Sequence, residues 1–460
     1  MFGKLIRNII LILAGVIILA SCKVTKTYES PQMNTADLYR NINSTDTNTI
    51  ANLPFNDLFA DTILQNLIKD GINNNLDLKM AYERINQSNA YFLQSKAALL
   101  PEVNANAGVS YGKSSQLQGG KTGFQYQLGV SPTWELDIWG KLSSSSRASF
   151  ANLLQTEAAS KAIQTEIVAG IANYYYSLLA LDQQLAITEE TVRNWDTTVV
   201  TMKALKEAAR VTEAAVVQSQ AQRYAAEVTI PDLKQNIKET ENALSILMGS
   251  APGAIKRGSF LNAVIIPSLS TGIPAQLLSH RPDVMQAEYA FRNAFEFTNV
   301  ARTYFYPSLN ISGSLGLSAL AIDQLFSSSA FTGSIGGGLL QPILNRKLNK
   351  TRLTVAQSQQ QEALYNFQNT LLNAGREVSD ALSNYETATS KREIRDNQID
   401  ALEKSVQYSQ ELLENGFATY TEIITAKQSL LQALLGKVND RLQQLQGVVD
   451  LYRSLGGGWR

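Results

Sequence analysis

The chain has 460 residues, with 40 basic and 40 acidic side chains and a formal net charge of zero. That balance, without a long block of like charge, excludes the electrostatic footprint of a nucleic-acid binder. Charged residues make up 17% against the usual about 25%, and Gln, Asn, Ser and Thr are abundant, so neutral polar surface dominates, which suits a wall facing a watery conduit better than an enzyme cleft.

Residues 1–21 read as a secretion signal. Lys4 and Arg7 form its charged start, and Ile9 to Ala20 is an apolar run too short to span a bilayer as a helix. It ends in Leu19-Ala20-Ser21-Cys22, and because Cys22 is the sole cysteine no intrachain disulfide can form. The ending resembles the bacterial lipobox, where a peptidase cuts before cysteine and the thiol is diacylated. The resemblance implies an N-acyl diacylglycerol on Cys22 and a lipidated N-terminal segment over residues 22–56. Multiple acyl chains hold firmly where one chain holds weakly.

Two copies of one pattern follow, over residues 57–249 and 282–460, joined by a Pro- and Gly-containing connection at 250–281. Pro101 opens Pro-Glu-Val-Asn-Ala and Pro307 opens Pro-Ser-Leu-Asn-Ile, while Lys141 answers Lys347; 307 − 101 and 347 − 141 are both 206. Leu205-Lys206-Glu207 answers Leu412-Leu413-Glu414 at an offset of 207. Such an offset is far longer than a solenoid unit and predicts a duplicated half-domain.

Within each copy, period-two alternation predicts two strands, about 102–112 and 123–134 in the first, about 308–317 and 331–341 in the second. Val103, Ala105, Ala107, Val109 and Tyr111 share one face, opposite Asn104, Asn106, Gly108, Ser110 and Gly112. Leu309, Ile311, Leu315 and Leu317 likewise oppose Ser308, Asn310, Ser312, Ser314 and Gly316. About ten residues with an apolar outside and a small polar inside is the pattern of a membrane barrel strand. Four strands are too few to close a barrel and a bilayer excludes open edges, so two or three chains must share one.

Proline-free runs from Trp139 to about Glu207 and from Arg346 to about Asn415 predict two helices on the order of 100 Å long. Leu364, Phe367, Leu371, Ala374, Val378, Ala381 and Tyr385 form a coiled-coil seam on the second. Each helix turns at a tip, Ala208–Thr212 or Gly416–Thr419, and returns as a shorter helix ending near Gly249 or Leu455. Pro101 and Pro307 mark strand entries, and Pro132 and Pro342 mark positions near the exits.

Leu277-Leu278-Ser279-His280-Arg281-Pro282-Asp283-Val284, then Ala301-Arg302-Thr303-Tyr304-Phe305-Tyr306-Pro307-Ser308-Leu309 and the ending Leu455-Gly456-Gly457-Gly458-Trp459, resemble TolC-type outer-membrane efflux proteins in their NodT-like lipoprotein branch. The resemblance covers nearly the whole mature chain. It implies an α+β membrane protein in the outer membrane: a homotrimer whose twelve-stranded barrel, four strands per chain, continues into a twelve-helix periplasmic tube. It also implies a periplasmic adaptor (a membrane fusion protein) and an inner-membrane pump of the RND type as partners.

Arg210-Val211-Thr212 and Phe417-Ala418-Thr419 resemble tip segments that meet adaptor hairpins. Near the second tip, Thr425 takes the place where family members often carry a gating aspartate, and Glu422, one turn earlier, is the candidate substitute. Arg281-Pro282-Asp283 suits a helix N-terminus, and His280, the sole histidine, reads as a surface or hydrogen-bonded side chain. Gly313-Ser314-Leu315-Gly316 lies in a strand and lacks the setting of a nucleophile elbow. No phosphate-cradling loop, metal cluster or nucleophile-base set is found, and the six methionines are scattered, so the chain reads as a passive duct, not an enzyme. The alternatives are a duct for secreted polypeptides and a lipid-anchored coiled-coil spacer without a pore.

Overall fold

The computed structural model describes residues 24–35, 38–40, 48–113, 122–263, 271–272 and 274–459. The secretion signal and Cys22 lie outside the described residues. The chain divides into two compact units, one of residues 1–33, 83–157 and 286–368, the other of residues 34–82, 158–285 and 369–460.

The first unit carries the sheet. Strands β1 (Glu102–Lys113), β2 (Thr122–Leu136), β3 (Ser308–Ala319) and β4 (Phe331–Leu340) pair antiparallel in the order β1-β2-β3-β4. All four expected strands form, and β2 runs past Pro132 to Leu136. Pro132 therefore sits inside a central strand and not at its exit. The β2–β3 register passes from Val130↔Leu315 to Thr133↔Ser312, so the residue without an N–H falls where the ladder lapses.

The strand ends are pinned by polar and aromatic contacts. Trp139 Nε1 donates to the Pro307 carbonyl at 2.7 Å and its ring lies 5.0 Å from Tyr306, while Asp137 accepts the N–H groups of Leu142 and Ser143, both at 2.8 Å. Those two donors belong to the first turn of α4 (Lys141–Glu207), where free N–H groups need an acceptor. The N-terminal segment lies on the later helix α8 (Pro282–Thr303): buried Asn299 both accepts from Lys26 N and donates to Lys26 O, each at 2.9 Å.

The second unit holds most of the helical core. It contains α1 (Phe55–Leu58), α2 (Thr62–Asn74), the start of α3 (Leu76–Ala97), most of α4, α5 (Glu213–Glu227), α6 (Thr229–Leu247), α7 (Leu277–His280), the later part of α9 (Leu348–Glu414) and α10 (Tyr420–Ser454). Both long helices appear with 67 residues each. Along α9 the expected seam is present: Phe367, Leu371, Ala374, Val378 and Ala381 are buried, with Leu364 and Tyr385 half-buried at its ends. The first returning helix is broken at Val228, because Pro231 cannot donate to the turn before it; α10 has Val438 there (231 + 207) and runs unbroken.

Left-handed backbone positions recur along the two halves. Gly140 (φ 76) answers Arg346 (φ 53) at 206 residues, and Ala209 (φ 55) answers Gly416 (φ 81) at 207. Gly249 (φ 73) answers Gly456 (φ 88), also at 207. A Cβ at Gly249 would lie 2.4 Å from the Asn74 carbonyl oxygen and one at Gly456 would lie 2.3 Å from that of His280, so both sites demand glycine.

Candidate functional site

The sheet register gathers the alternating residues of four strands onto two chemically opposite faces. On one, Ala107↔Leu128↔Leu317↔Phe331 and Ala105↔Val130↔Leu315 run across the strands, with Ile335 and Leu339 of β4 strongly exposed. On the other, Asn106↔Gly129↔Gly316↔Thr332 and Asn104↔Ser131 are joined by polar contacts such as Ser131 to Asn106 at 3.1 Å and Ser314 to Ser334 at 2.8 Å. The outer edges of β1 and β4 have no strand partner among the described residues. An apolar face that bare, at β-strand length, is suited to lipid contact and unsuited to water.

The two tips come together in the second unit. Arg210 Nη1 reaches across to donate to the Glu414 carbonyl at 2.7 Å, satisfying a helix-end acceptor of the other tip. Beneath them Met202, Ala215, Val216, Leu413 and Ile423 form a small core against which Val211 and Tyr420 pack. Thr212 and Thr419 take the extended N-cap conformation before α5 and α10, Ala418 is half-buried, and Phe417 stands 82% exposed.

Glu422 and Thr425 are both exposed in the first turns of α10. Glu422 accepts from the Thr419 hydroxyl at 3.4 Å, and the Thr425 hydroxyl bonds back to the Thr421 carbonyl at 2.9 Å. The carboxylate is thus the charged group at the start of this helix, held loosely by its own cap, and Thr425 carries no charge to add.

Arg281-Pro282-Asp283 does open a helix, α8, as the sequence suggests. Arg281 has a second task that spacing alone did not show: its guanidinium is buried, donating to Asp283 at 2.6 and 3.0 Å, to Glu377 at 3.0 Å and to the Ser454 carbonyl at 2.9 Å. Burial alone would lower its pKa, but the carboxylates of Asp283 and Glu377 hold it above the ordinary value. Asn75, at 281 − 206, is also buried and donates to the Leu247 carbonyl at 2.8 Å, and 454 − 247 is 207. The same helix end is therefore capped in both halves, by an amide in one and a guanidinium in the other. His280 is half-buried, and its carbonyl accepts from Trp459 Nε1 at 3.0 Å. Lys161 lies over that indole at 4.5 Å, so the Gly-Gly-Gly-Trp ending is a docked element.

Among the described residues no group of three or more His, Cys, Asp and Glu side chains is placed to hold a metal ion, and no helix is long and apolar enough to cross a membrane.

A family model described as outer membrane efflux protein matches residues 67–250 and again residues 273–457. The probable outer membrane lipoprotein SilC of Salmonella typhimurium is 26% identical over 460 residues, covering 98% of each chain. The cation efflux system protein CusC of Escherichia coli is 26% identical over 450 residues, covering 96% of this chain and 97% of that one. Among solved structures, a membrane protein from Pseudomonas aeruginosa superposes with a TM-score of 0.89 at 24% identity, over 95% of this chain and 98% of the other. The chain belongs to the outer membrane efflux protein family and is an efflux channel component of the outer membrane.

Proposed function

We propose that this member of the outer membrane efflux protein family is the passive exit duct of a tripartite pump, carrying small molecules such as drugs or other toxic compounds across periplasm and outer membrane. The observation that carries the reading is the apolar band running through the register of all four strands to two unpaired edges, β1 and β4. A bilayer leaves no backbone group unpaired, so the edges must meet other copies of the chain. Three copies give twelve strands, and their helices build the twelve-helix tube beyond. The recurrence of left-handed positions and of the doubly matched family model supports an internal duplication of residues 57–249 as 282–460, with 250–281 as connection.

The remaining assignments follow from that assembly. An N-acyl diacylglycerol on Cys22 is a second membrane anchor beside the barrel. The tips Arg210, Val211, Thr212 and Phe417, Ala418, Thr419 meet the adaptor, Glu422 and Thr425 line the periplasmic gate, and an RND-type pump supplies the energy. The chain itself makes and breaks no bonds. The similarity to the cation efflux system protein CusC favours a second cargo class, metal cations, carried by the same duct.

The test has two arms. Purified protein in planar bilayers is expected to conduct ions; a lack of conductance would leave the lipid-anchored spacer. Removing the chain from its host is expected to sensitise the cells to drugs and dyes, and complementation to restore resistance. Sensitisation to metal salts alone selects the cation reading, and periplasmic retention of a secreted polypeptide with unchanged resistance selects the polypeptide duct.

A further inference from the structure

A groove on α10, in the second unit, is used by none of the assignments above. Lys427, Leu430, Leu434, Val438 and Arg441 recur at intervals of 3, 4, 4 and 3 residues and so form one stripe of the helix. On one side stands α4, held by Lys427 to the Thr198 hydroxyl and by Gln184 to Asn439 at 2.8 Å; on the other stands α9, held by Arg395 to Asp440 at 2.9 Å. The space between is about 890 Å³, within the range of small-molecule sites. From Lys427 to Arg441 is 14 residues, roughly 21 Å along the helix.

Its two ends differ in charge. Arg441 is half-buried, and its neighbours Ala263 O at 2.7 Å and Gln444 Oε1 at 2.8 Å are neutral acceptors. Burial first, and then the nearby Arg392 guanidinium, hold the Arg441 pKa below its ordinary value. Neither arginine has an ion pair among the described residues. The nearby carboxylate Asp440 is shared by Arg395 at 2.9 Å and Lys391 at 3.6 Å, and Asp396 is matched by Lys437 at 2.7 Å. At this end Arg392, Arg395, Lys437 and Arg441 line the groove against Asp396 and Asp440, so the two arginines without an ion pair are its uncompensated charge, while Glu190 and Glu403 line it farther along. The exposed Glu403 lies eight residues beyond Arg395 along α9, toward the Lys427 end, where buried Trp195 lies 5.6 Å beneath the ammonium. Between the ends, Leu430, Leu431 and Leu434 are half-buried.

We propose that this groove binds a single-headed amphipathic anion, its carboxylate, sulfate or phosphate held between Arg392 and Arg441 and its apolar body laid along Leu434, Leu431 and Leu430 toward Trp195. Two guanidiniums lining one groove are relieved by an anion, to which Arg392 and the N–H groups that Arg441 does not spend on Gln444 and Ala263 can donate. The half-buried leucines are covered by the apolar body, which is where most of the affinity comes from.

The protein, full-length and in lipid nanodiscs, is titrated with 11-(dansylamino)undecanoate, and energy transfer from Trp195 to the dansyl group reads occupancy against the Trp195→Phe protein. Saturable transfer is expected, with Kd raised at least tenfold by Arg441→Gln and by Arg392→Gln. The second variant sits at an exposed residue and keeps the test sharp if the first unfolds. The neutral alcohol analogue should also bind at least tenfold more weakly. Dodecanoate should displace the probe, and inorganic phosphate at millimolar concentration should not. Equal binding of the alcohol, wild-type affinity in Arg392→Gln, or displacement by phosphate alone each overturns the proposal. Absence of transfer overturns it too, as it would if a second copy of the chain fills the groove.

Discussion

Arg281 and Asn75 do one job with different chemistry, and the difference sets two unequal costs. Arg281→Met removes charge-assisted bonds to two carboxylates and leaves the Ser454 carbonyl uncapped. Hydrogen bonds to charged groups contribute about 1.5–3 kcal/mol each, and because Asp283 and Glu377 keep partial access to water, about 3 kcal/mol is expected in total. Asn75→Ala loses the bond to the Leu247 carbonyl and the acceptor for the Leu78 N–H, two neutral bonds of about 1 kcal/mol each, so about 2 kcal/mol is expected. Urea denaturation followed by circular dichroism compares the two; equal midpoints would mean that the carboxylates contribute nothing. At the tip the relevant quantity is potential. Three copies of Glu422 around a constriction would concentrate cations, so Glu422→Gln is expected to move the reversal potential of reconstituted channels in a salt gradient toward zero, and Thr425→Asp to move it the other way. An unchanged potential in Glu422→Gln alongside a stronger one in Thr425→Asp would turn Glu422 away from the lumen.

Elements were legible from sequence where one period held over a long run. The strands β1 and β3 begin at the residues after Pro101 and Pro307, and both 67-residue helices end within a residue or so of their expected limits, because alternation and absence of proline are local properties. The break at Val228 was missed although Pro231 was visible: a returning helix of ordinary composition hides one interruption. What sequence could not show was register, since pairing joins residues about 190 positions apart. Register is what places Gly129 opposite Gly316, where a Cβ on Gly316 would lie 2.4 Å from the Leu128 carbonyl and one on Gly129 2.8 Å from that of Leu315. The close approach makes both glycines structural, so Gly316→Val should prevent β2–β3 closure. Gly336→Val, at a site with open space around its Cβ position, should be tolerated. Heat-modified mobility of the membrane-extracted protein on gels would separate them, the first running as unfolded chain without heating. Arg281 and the Arg392–Arg441 pair escaped for the same reason, being assembled by residues far apart in the chain.

At the scale of the whole molecule the open sheet is the fact that demands partners. One chain offers four strands with the apolar faces of β1 and β4 bare, and eight strands from two chains or twelve from three would both close. The resemblance to TolC-type proteins implies the second, a homotrimer whose twelve-stranded barrel continues into a twelve-helix tube. The choice is testable with the chain's own chemistry, since Cys22 is its sole cysteine and Cys22→Ala leaves no native thiol in the background. Single cysteines at Ala107 of β1 and at Phe331, Ile335 or Leu339 of β4, combined pairwise in one chain, cannot meet within a copy because β2 and β3 stand between them. A strand spacing of about 4.8 Å puts those edges roughly 14 Å apart inside one sheet, beyond the reach of a disulfide. Oxidation in intact membranes should therefore cross-link neighbours, and the ladder on a denaturing gel should stop at three chains once one pairing matches the register between copies. A ladder that ends at two chains would make the barrel eight-stranded and would overturn the trimer.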